Sequence, residues 1–222
     1  MREPLRRALA YPYAAPEHSF LQLGERTLEL APGELDLSAR HPLLAYGANA
    51  APEALARKLA PDPDTALPLV RAELDDFDVV YSAHVSPYGS VPATLRRRPG
   101  TTVSVFVAFP TEDQRQLLAA TEPNYERHRL EALSCRPEVG ERLERLEAFV
   151  SRHGSLLLDG SEVALSAIRA RNRQLPAMAQ PQVLEQVRSL LSPERSLEQL
   201  IADPAWSQTA AKRLRAKRAS RP

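Results

Sequence analysis

The sequence predicts an α+β fold in which a β-rich core carries helices and is followed by a helical extension. Three observations support this prediction. The short apolar run at residues 43–46 is followed at once by a glycine turn and a helix pattern. Residues 101–109 are rich in β-branched and aromatic side chains, which makes them the clearest strand pattern in the chain. From residue 137 onward, the spacing of the apolar residues becomes helical.

The first 40 residues are marked by prolines and are predicted to form an N-terminal extension. Two short apolar segments, 18–23 and 27–30, lie on either side of Gly24 and Glu25. A glycine-containing turn between two such segments is typical of a β-hairpin. We therefore expect residues 1–40 to add strands to the core.

The predicted core covers residues 41–136. Its first strand ends at Gly47, and its first helix begins at Pro52, because proline suits the first turn of a helix. A second helix is expected after Thr111, whose hydroxyl can cap the helix N-terminus. Further strands are expected at 69–74, 77–81, 101–109 and 127–133.

Residues 137–222 are predicted to form the helical extension. Within it, Leu143, Leu146 and Val150 recur at helical spacing and predict a helix over 139–150. Other helices are expected at 163–173, 181–191 and 197–201, with a last one after residue 203. Residues 212–221 carry six Lys or Arg and no acid, which gives a basic tail. Such a tail could contact RNA or an anionic surface, and a solvated terminus is the alternative.

The composition excludes several classes of protein. With 222 residues, 43% of them hydrophobic and a net charge of +1, the chain can build a core and is not a disordered or acidic-tail protein. It contains no apolar run near the length of a membrane span and no signal-peptide pattern at its start. Its one cysteine, Cys135, excludes an internal disulfide framework and a cysteine-rich zinc site. We therefore expect a cytoplasmic protein with no membrane partner and no nucleic-acid-binding body.

Four features occur in order along the core. They are the turn Tyr46-Gly47-Ala48-Asn49, the segment Pro92-Ala93-Thr94-Leu95, the strand that leads into the helix after Thr111, and the stretch from Leu118 through Glu122 to Tyr125 and Arg127. This series resembles the gamma-glutamylcyclotransferase-like family over residues 43–133, which is under half of the chain. The resemblance implies that the α+β core is a small mixed β-barrel with flanking helices, and that the helical extension follows it.

The turn after the first strand has a chemical interpretation of its own. A glycine between a strand and a helix N-terminus exposes backbone N–H groups, which attract a carboxylate, a phosphate or a developing oxyanion. Gly47 permits close approach of the backbone, and the side chain of Asn49 can hold the turn. The alternative is a plain connection between a strand and a helix, with no ligand.

The resemblance implies that Glu122 moves the proton in an internal cyclisation of a γ-glutamyl amine or peptide. In that reaction, 5-oxoproline forms and an amine leaves. It further implies a substrate-binding role for Tyr46, Gly47, Ala48, Asn49 and Tyr125. No metal and no organic cofactor is expected, because the substrate supplies its own nucleophile at high effective molarity. The alternative for Glu122 is that it ends a helix or pairs with Arg127 on the surface.

Two of the sequence's departures from the family pattern concern the proposed site residues. Ala48 replaces the usual serine, and only two residues separate Glu122 from Tyr125. These departures leave two hypotheses of different classes. The first is a γ-glutamyl cyclotransferase acting on a small-molecule substrate, and the second is a catalytically silent relative that binds a small ligand or another protein.

Other candidate residues carry weaker signals. Ser82 and His84 lie on one face of a predicted strand, but no acid completes a catalytic triad. The arginines at 96–98 are typical of a solvated hairpin end and could alternatively receive a substrate carboxylate. Tyr81 is a second candidate for the cavity wall. The five histidines have no spacing typical of metal ligands.

Overall fold

The structure, a computed structural model, describes residues 3–30, 37 and 39–219, with side chains as far as Arg215. Its helices are α1 (Glu3–Leu9), a 3₁₀ turn (Gly47–Ala50), α2 (Pro52–Lys58), α3 (Glu112–Ala120), α4 (Gln180–Leu191), α5 (Leu197–Ile201) and α6 (Trp206–Ala219). Its strands are β1 (Phe20–Leu23), β2 (Arg26–Glu29), β3 (Leu43–Ala45), β4 (Leu67–Tyr81), β5 (Ala93–Ala108), β6 (Tyr125–Pro137), β7 (Leu143–Ser151), β8 (Leu157–Leu158), β9 (Ser161–Glu162), β10 (Ala164–Leu165), β11 (Ala170–Arg171) and β12 (Ala177–Met178).

Five of these strands close into a barrel. β4 and β5 form a long antiparallel hairpin, and the sheet continues from β5 through β3, β7 and β6 back to β4. β3 pairs antiparallel with β5 and parallel with β7, so the barrel is mixed. The predicted α+β fold, with a small mixed barrel and flanking helices, is confirmed.

The short strand β3 shows how the barrel is filled and covered. Leu44 belongs to the cluster inside the barrel, whereas its neighbours Leu43 and Ala45 belong to a second cluster on the outside. That outer cluster includes Leu55 of α2 and Leu118 of α3, so both helices pack on the same side of the barrel. Burial of each large apolar side chain contributes about 1.5–3 kcal/mol, which fixes the ends of β3, α2 and α3 relative to one another.

The N-terminal hairpin predicted from the sequence is confirmed as the antiparallel pair β1 and β2. β1 also pairs with β4, so the hairpin extends the sheet. Helix α1 was not predicted, and it contacts α4 and α5 of the C-terminal region. Residues 31–36 and 38, which the sequence assigns to the same extension, lie outside the described residues.

The helix predicted over residues 139–150 is wrong, because this segment forms β7 of the barrel. Leu146 and Ala148 are buried two residues apart, as expected for one face of a strand. A short apolar segment fits both periodicities, and the pairing of β7 with β3 and β6 decides between them. The helix predicted over 163–173 is also wrong, since β10 and β11 lie there. Helical structure of the extension therefore begins at Gln180, and its independence as a folding unit stays a prediction.

Helices α4, α5 and α6 form the C-terminal part of the described chain. α4 contacts α5, and Trp206 at the start of α6 is buried in the cluster that fills the barrel. Lys212 and Arg213 of the basic tail are exposed, while residues 220–222 lie outside the described residues. None of the helices in the described ranges combines the length and apolarity needed to cross a membrane.

Candidate active site

The turn after β3 is built around Gly47. Its φ of +62° lies in the left-handed region, which an L side chain adopts only with strain. A Cβ atom at this position would also clash with the hydroxyl of Tyr11. That hydroxyl accepts a hydrogen bond from the backbone N–H of Ala93 at 2.8 Å, so Tyr11 is held in place. Only glycine therefore fits at position 47, where the 3₁₀ turn Gly47–Ala50 begins beside the barrel.

Glu122 follows α3, and its carboxylate lies against the residues around that turn. Oε1 accepts hydrogen bonds from Lys58 Nζ at 2.5 Å and from Asn49 Nδ2 at 3.1 Å. Lys58 Nζ also donates to Asn49 Oδ1 at 2.7 Å, which closes a triangle of three side chains. The alternative of a surface pair with Arg127 is not observed, because Arg127 contacts Glu147 instead.

The Lys58–Glu122 ion pair is largely removed from solvent. The side chains are 17% and 14% exposed, respectively. Sequence reasoning missed Lys58, although it ends α2 and follows Asn49 by nine residues. Its position relative to Glu122 depends on how α2 and α3 pack on the barrel, and a single sequence contains no local signal for that packing.

A cavity of about 190 Å³ opens next to this triangle. Of the residues predicted for the site, Tyr46, Ala48, Asn49, Glu122 and Tyr125 line it. Gly47 lines a neighbouring cavity instead, and Tyr81 lies away from both, with its hydroxyl on the carbonyl of Met178. The rest of the wall comes from the segment after α1, from β3, α2, the loop after β4, the start of β5, the loop between α3 and β6, and β7: Tyr11, Leu44, Lys58, His84, Ser86, Pro87, Tyr88, Pro92, Ala93, Thr121, Pro123, Asn124 and Phe149.

Four tyrosines surround the cavity and remain protonated near neutral pH. Burial, reinforced by the charge of Glu122, raises the pKa of Tyr46, and burial likewise raises the pKa values of Tyr11 and Tyr125. Burial raises the pKa of Tyr88 to about 12. The Tyr46 hydroxyl donates to the carbonyl of Phe149, and the Tyr125 hydroxyl donates to the carbonyl of Ala93 at 2.8 Å. The charges at the described wall of this cavity are therefore those of Lys58 and Glu122.

Ser82 and His84 do meet, as their spacing predicts, but they do not form an exposed nucleophile. Ser82 Oγ lies 2.7 Å from His84 Nδ1 and 2.6 Å from Ser151 Oγ, and Ser82 is fully buried. Burial, with smaller contributions from His153 and Arg215, lowers the pKa of His84 to about 3. His84 is thus neutral near pH 7, and the buried hydroxyl cannot reach a substrate.

The remaining candidates lie away from the cavity. Arg96 and Arg98 both pair with Glu162, so the substrate-carboxylate interpretation of this arginine run has no support. Cys135 is buried, and burial raises the pKa of its thiol to about 12. Within the described residues, no three His, Cys, Asp or Glu side chains are grouped as metal ligands.

Comparison with protein-family models and with curated proteins finds no match. Among solved structures, the chain is similar to a gamma-glutamyl cyclotransferase, with 18% identity and a TM-score of 0.40 over 50% of this chain and 66% of that one. It is also similar to an Arabidopsis thaliana protein, with 20% identity and a TM-score of 0.39 over 51% and 70%. An uncharacterised human protein matches with 17% identity and a TM-score of 0.38 over 61% and 68%. The chain thus spans about two thirds of the length of these structures.

Proposed function

We propose that the cavity beside Glu122 binds a γ-glutamyl amine or peptide and cyclises it to 5-oxoproline, with release of the amine. The observation that supports this proposal best is the contact between the Glu122 carboxylate and Asn49 of the glycine turn. Asn49 and Glu122 are 73 residues apart in the sequence, and both line the same cavity. The choice of reaction rests on the resemblance to the gamma-glutamylcyclotransferase-like family, which the motifs around these two residues carry.

The proposed reaction needs one proton carrier and no added nucleophile. The α-amine of the γ-glutamyl group attacks its own γ-carbonyl carbon, so a C–N bond forms and closes the five-membered ring. Glu122 takes the proton that the attacking nitrogen loses and returns it to the leaving amine as the original C–N bond breaks. General acid–base catalysis of this kind contributes about 10² to 10⁴ in rate.

The neighbouring residues have positioning roles in this scheme. Asn49 and Lys58 hold Glu122 Oε1 in one place, while no hydrogen bond to Oε2 is made by any side chain in the described ranges. The second oxygen is therefore the one available to the substrate nitrogen. The first N–H groups of a 3₁₀ turn have no partner inside the turn, so those of Ala48 and Asn49 can face the developing oxyanion. Ala48 adds no hydroxyl to this set.

A specific observation also favours a non-catalytic alternative. The Glu122 carboxylate already receives two hydrogen bonds, one of them from an ammonium group at 2.5 Å. Part of the hydrogen-bonding capacity of this carboxylate is therefore already used by other side chains of the protein. In the alternative, the same cavity binds a small ligand and the Lys58–Glu122 pair has a structural role.

The two candidates are separated by incubating the purified protein with a panel of γ-glutamyl amines and γ-glutamyl peptides. Formation of 5-oxoproline together with the free amine is expected, and EDTA should not reduce the rate. If no member of the panel gives 5-oxoproline while some of them bind the protein, the binding module is the better description. Activity that depends on a metal would contradict the proposed proton path.

A further inference from the structure

A second cavity, of about 330 Å³, adjoins the one beside Glu122. His84, Pro87 and Asn124 line both cavities, so a shared wall separates them. The rest of the second cavity is lined by Val85 and His153 and by one face of α6: Ser207, Gln208, Ala211 and Arg215. The helix positions 207, 211 and 215 are one turn apart, which directs them to the same side.

The wall of this second cavity is positively charged. None of its described lining residues is acidic, and Arg215 contributes a guanidinium group. Arg215 makes no hydrogen bond or ion pair with any residue that the structure describes. By contrast, Arg136 of β6 pairs with Asp75, and Arg173, which follows β11, pairs with Asp78.

The two imidazoles in the wall also have unused hydrogen-bonding capacity. Their rings stack with centroids 4.4 Å apart. His153 Nε2 lies 3.0 Å from Asn124 Oδ1, while its Nδ1 is buried without a partner. When Ser82 donates to His84 Nδ1, the other ring nitrogen of His84 carries a proton that meets no acceptor in the described part of the chain. One cavity is therefore lined by a guanidinium group and an imidazole N–H, and neither donates to an acceptor among the described residues.

We propose that this second cavity is a binding site for small oxyanions, a phosphate or a carboxylate group, held by Arg215 and His84. Planar guanidinium groups bind both kinds of oxyanion through paired N–H donors. The site does not depend on the cyclisation proposed above, and it gives Arg215 of the basic C-terminal helix a role beside the first cavity.

The test is titration of the full chain with inorganic phosphate and, separately, with acetate, in a buffer free of other oxyanions. The imidazole resonances of His84 and His153 are followed by NMR. Saturable shifts of both rings are expected, and the anion that binds more tightly identifies the class of oxyanion. Arg215→Gln should weaken binding about tenfold or more, the usual scale for loss of a charge-assisted contact.

Arg213→Gln is the matched control, because Arg213 is an exposed residue of the same helix and does not line the cavity. It should bind the anion as the unmodified protein does. Absence of saturable shifts with both anions would overturn the proposal, as would equal affinities of the Arg215→Gln and Arg213→Gln variants. Formation of 5-oxoproline has no part in this readout, so the outcome is independent of the proposed reaction.

Discussion

Replacing Lys58 with methionine should destabilise the protein, because it leaves the carboxylate of Glu122 without its cation. The substitution keeps a long apolar stem and removes only the ammonium group. In the structure, that group lies 2.5 Å from Glu122 Oε1, and the two side chains are 17% and 14% exposed. The carboxylate that remains would be mostly buried, with one hydrogen bond from Asn49 at 3.1 Å.

The size of the effect follows from this partial burial. Breaking a fully buried ion pair costs about 3–5 kcal/mol, since the remaining charge has lost its partner. Here Asn49 still donates and the carboxylate borders a cavity that water can enter, so we expect a loss of about 1–3 kcal/mol. For a chain of this length, each kcal/mol corresponds to about 2–4 °C in melting temperature.

Urea unfolding at neutral pH measures this loss, and Lys212→Met is the matched control because Lys212 is exposed on α6. The control should change the free energy of unfolding by less than about 0.5 kcal/mol. Adding Glu122→Gln to Lys58→Met should recover part of the lost stability, because an amide has no charge to leave unpaired. The reasoning is refuted if Lys58→Met is as stable as Lys212→Met, or if the second substitution recovers nothing.

Three other predictions follow from the same region. Gly47→Ala should lower the free energy of unfolding by about 2 kcal/mol or more, because of the positive φ at this position and the clash of the added Cβ with the Tyr11 hydroxyl. Full stability of Gly47→Ala would be inconsistent with the turn described here. Ala48→Ser should be tolerated in the same unfolding assay and should raise any 5-oxoproline formation slightly, whereas abolished turnover would argue against a hydroxyl fitting there. Burial lowers the pKa of His84 to about 3, below its ordinary value of about 6.5. Between these two pH values, the unfolded chain binds more protons than the folded protein. The free energy of unfolding should therefore fall as the pH falls below about 6.5. His84→Asn should reduce the pH slope of the unfolding free energy by up to about 1.4 kcal/mol per pH unit, and a slope equal to that of the unmodified protein would contradict the assignment.

Elements with strong local signals could be predicted from the sequence. Thr111 caps α3 through the backbone N–H of Gln114, as its position before an acidic first turn predicts. Gly47 marks a turn that requires a left-handed residue, and the N-terminal hairpin follows from the glycine turn between two apolar segments. In each case, a few adjacent residues determine the conformation.

Elements that depend on distant partners could not be predicted in the same way. The apolar residues of β7 fit a helix as well as a strand, and only pairing with β3 and β6 distinguishes the two. The same limit applies to the site. Glu122 was found through a family motif, whereas Lys58, which contacts the same carboxylate, has no motif and is placed by the packing of α2 and α3 on the barrel.

The rate of 5-oxoproline formation by Glu122→Gln tests the central claim most directly. Glutamine keeps the size and polarity of the side chain but cannot carry a proton, so turnover should fall by about 10² to 10⁴ while substrate affinity changes little. Glu126→Gln is the matched control, since Glu126 is exposed on β6 and does not line the cavity; its turnover should equal that of the unmodified protein. Equal rates for the unmodified protein and the Glu122→Gln variant would contradict the account, because Glu122 would then not be the proton carrier.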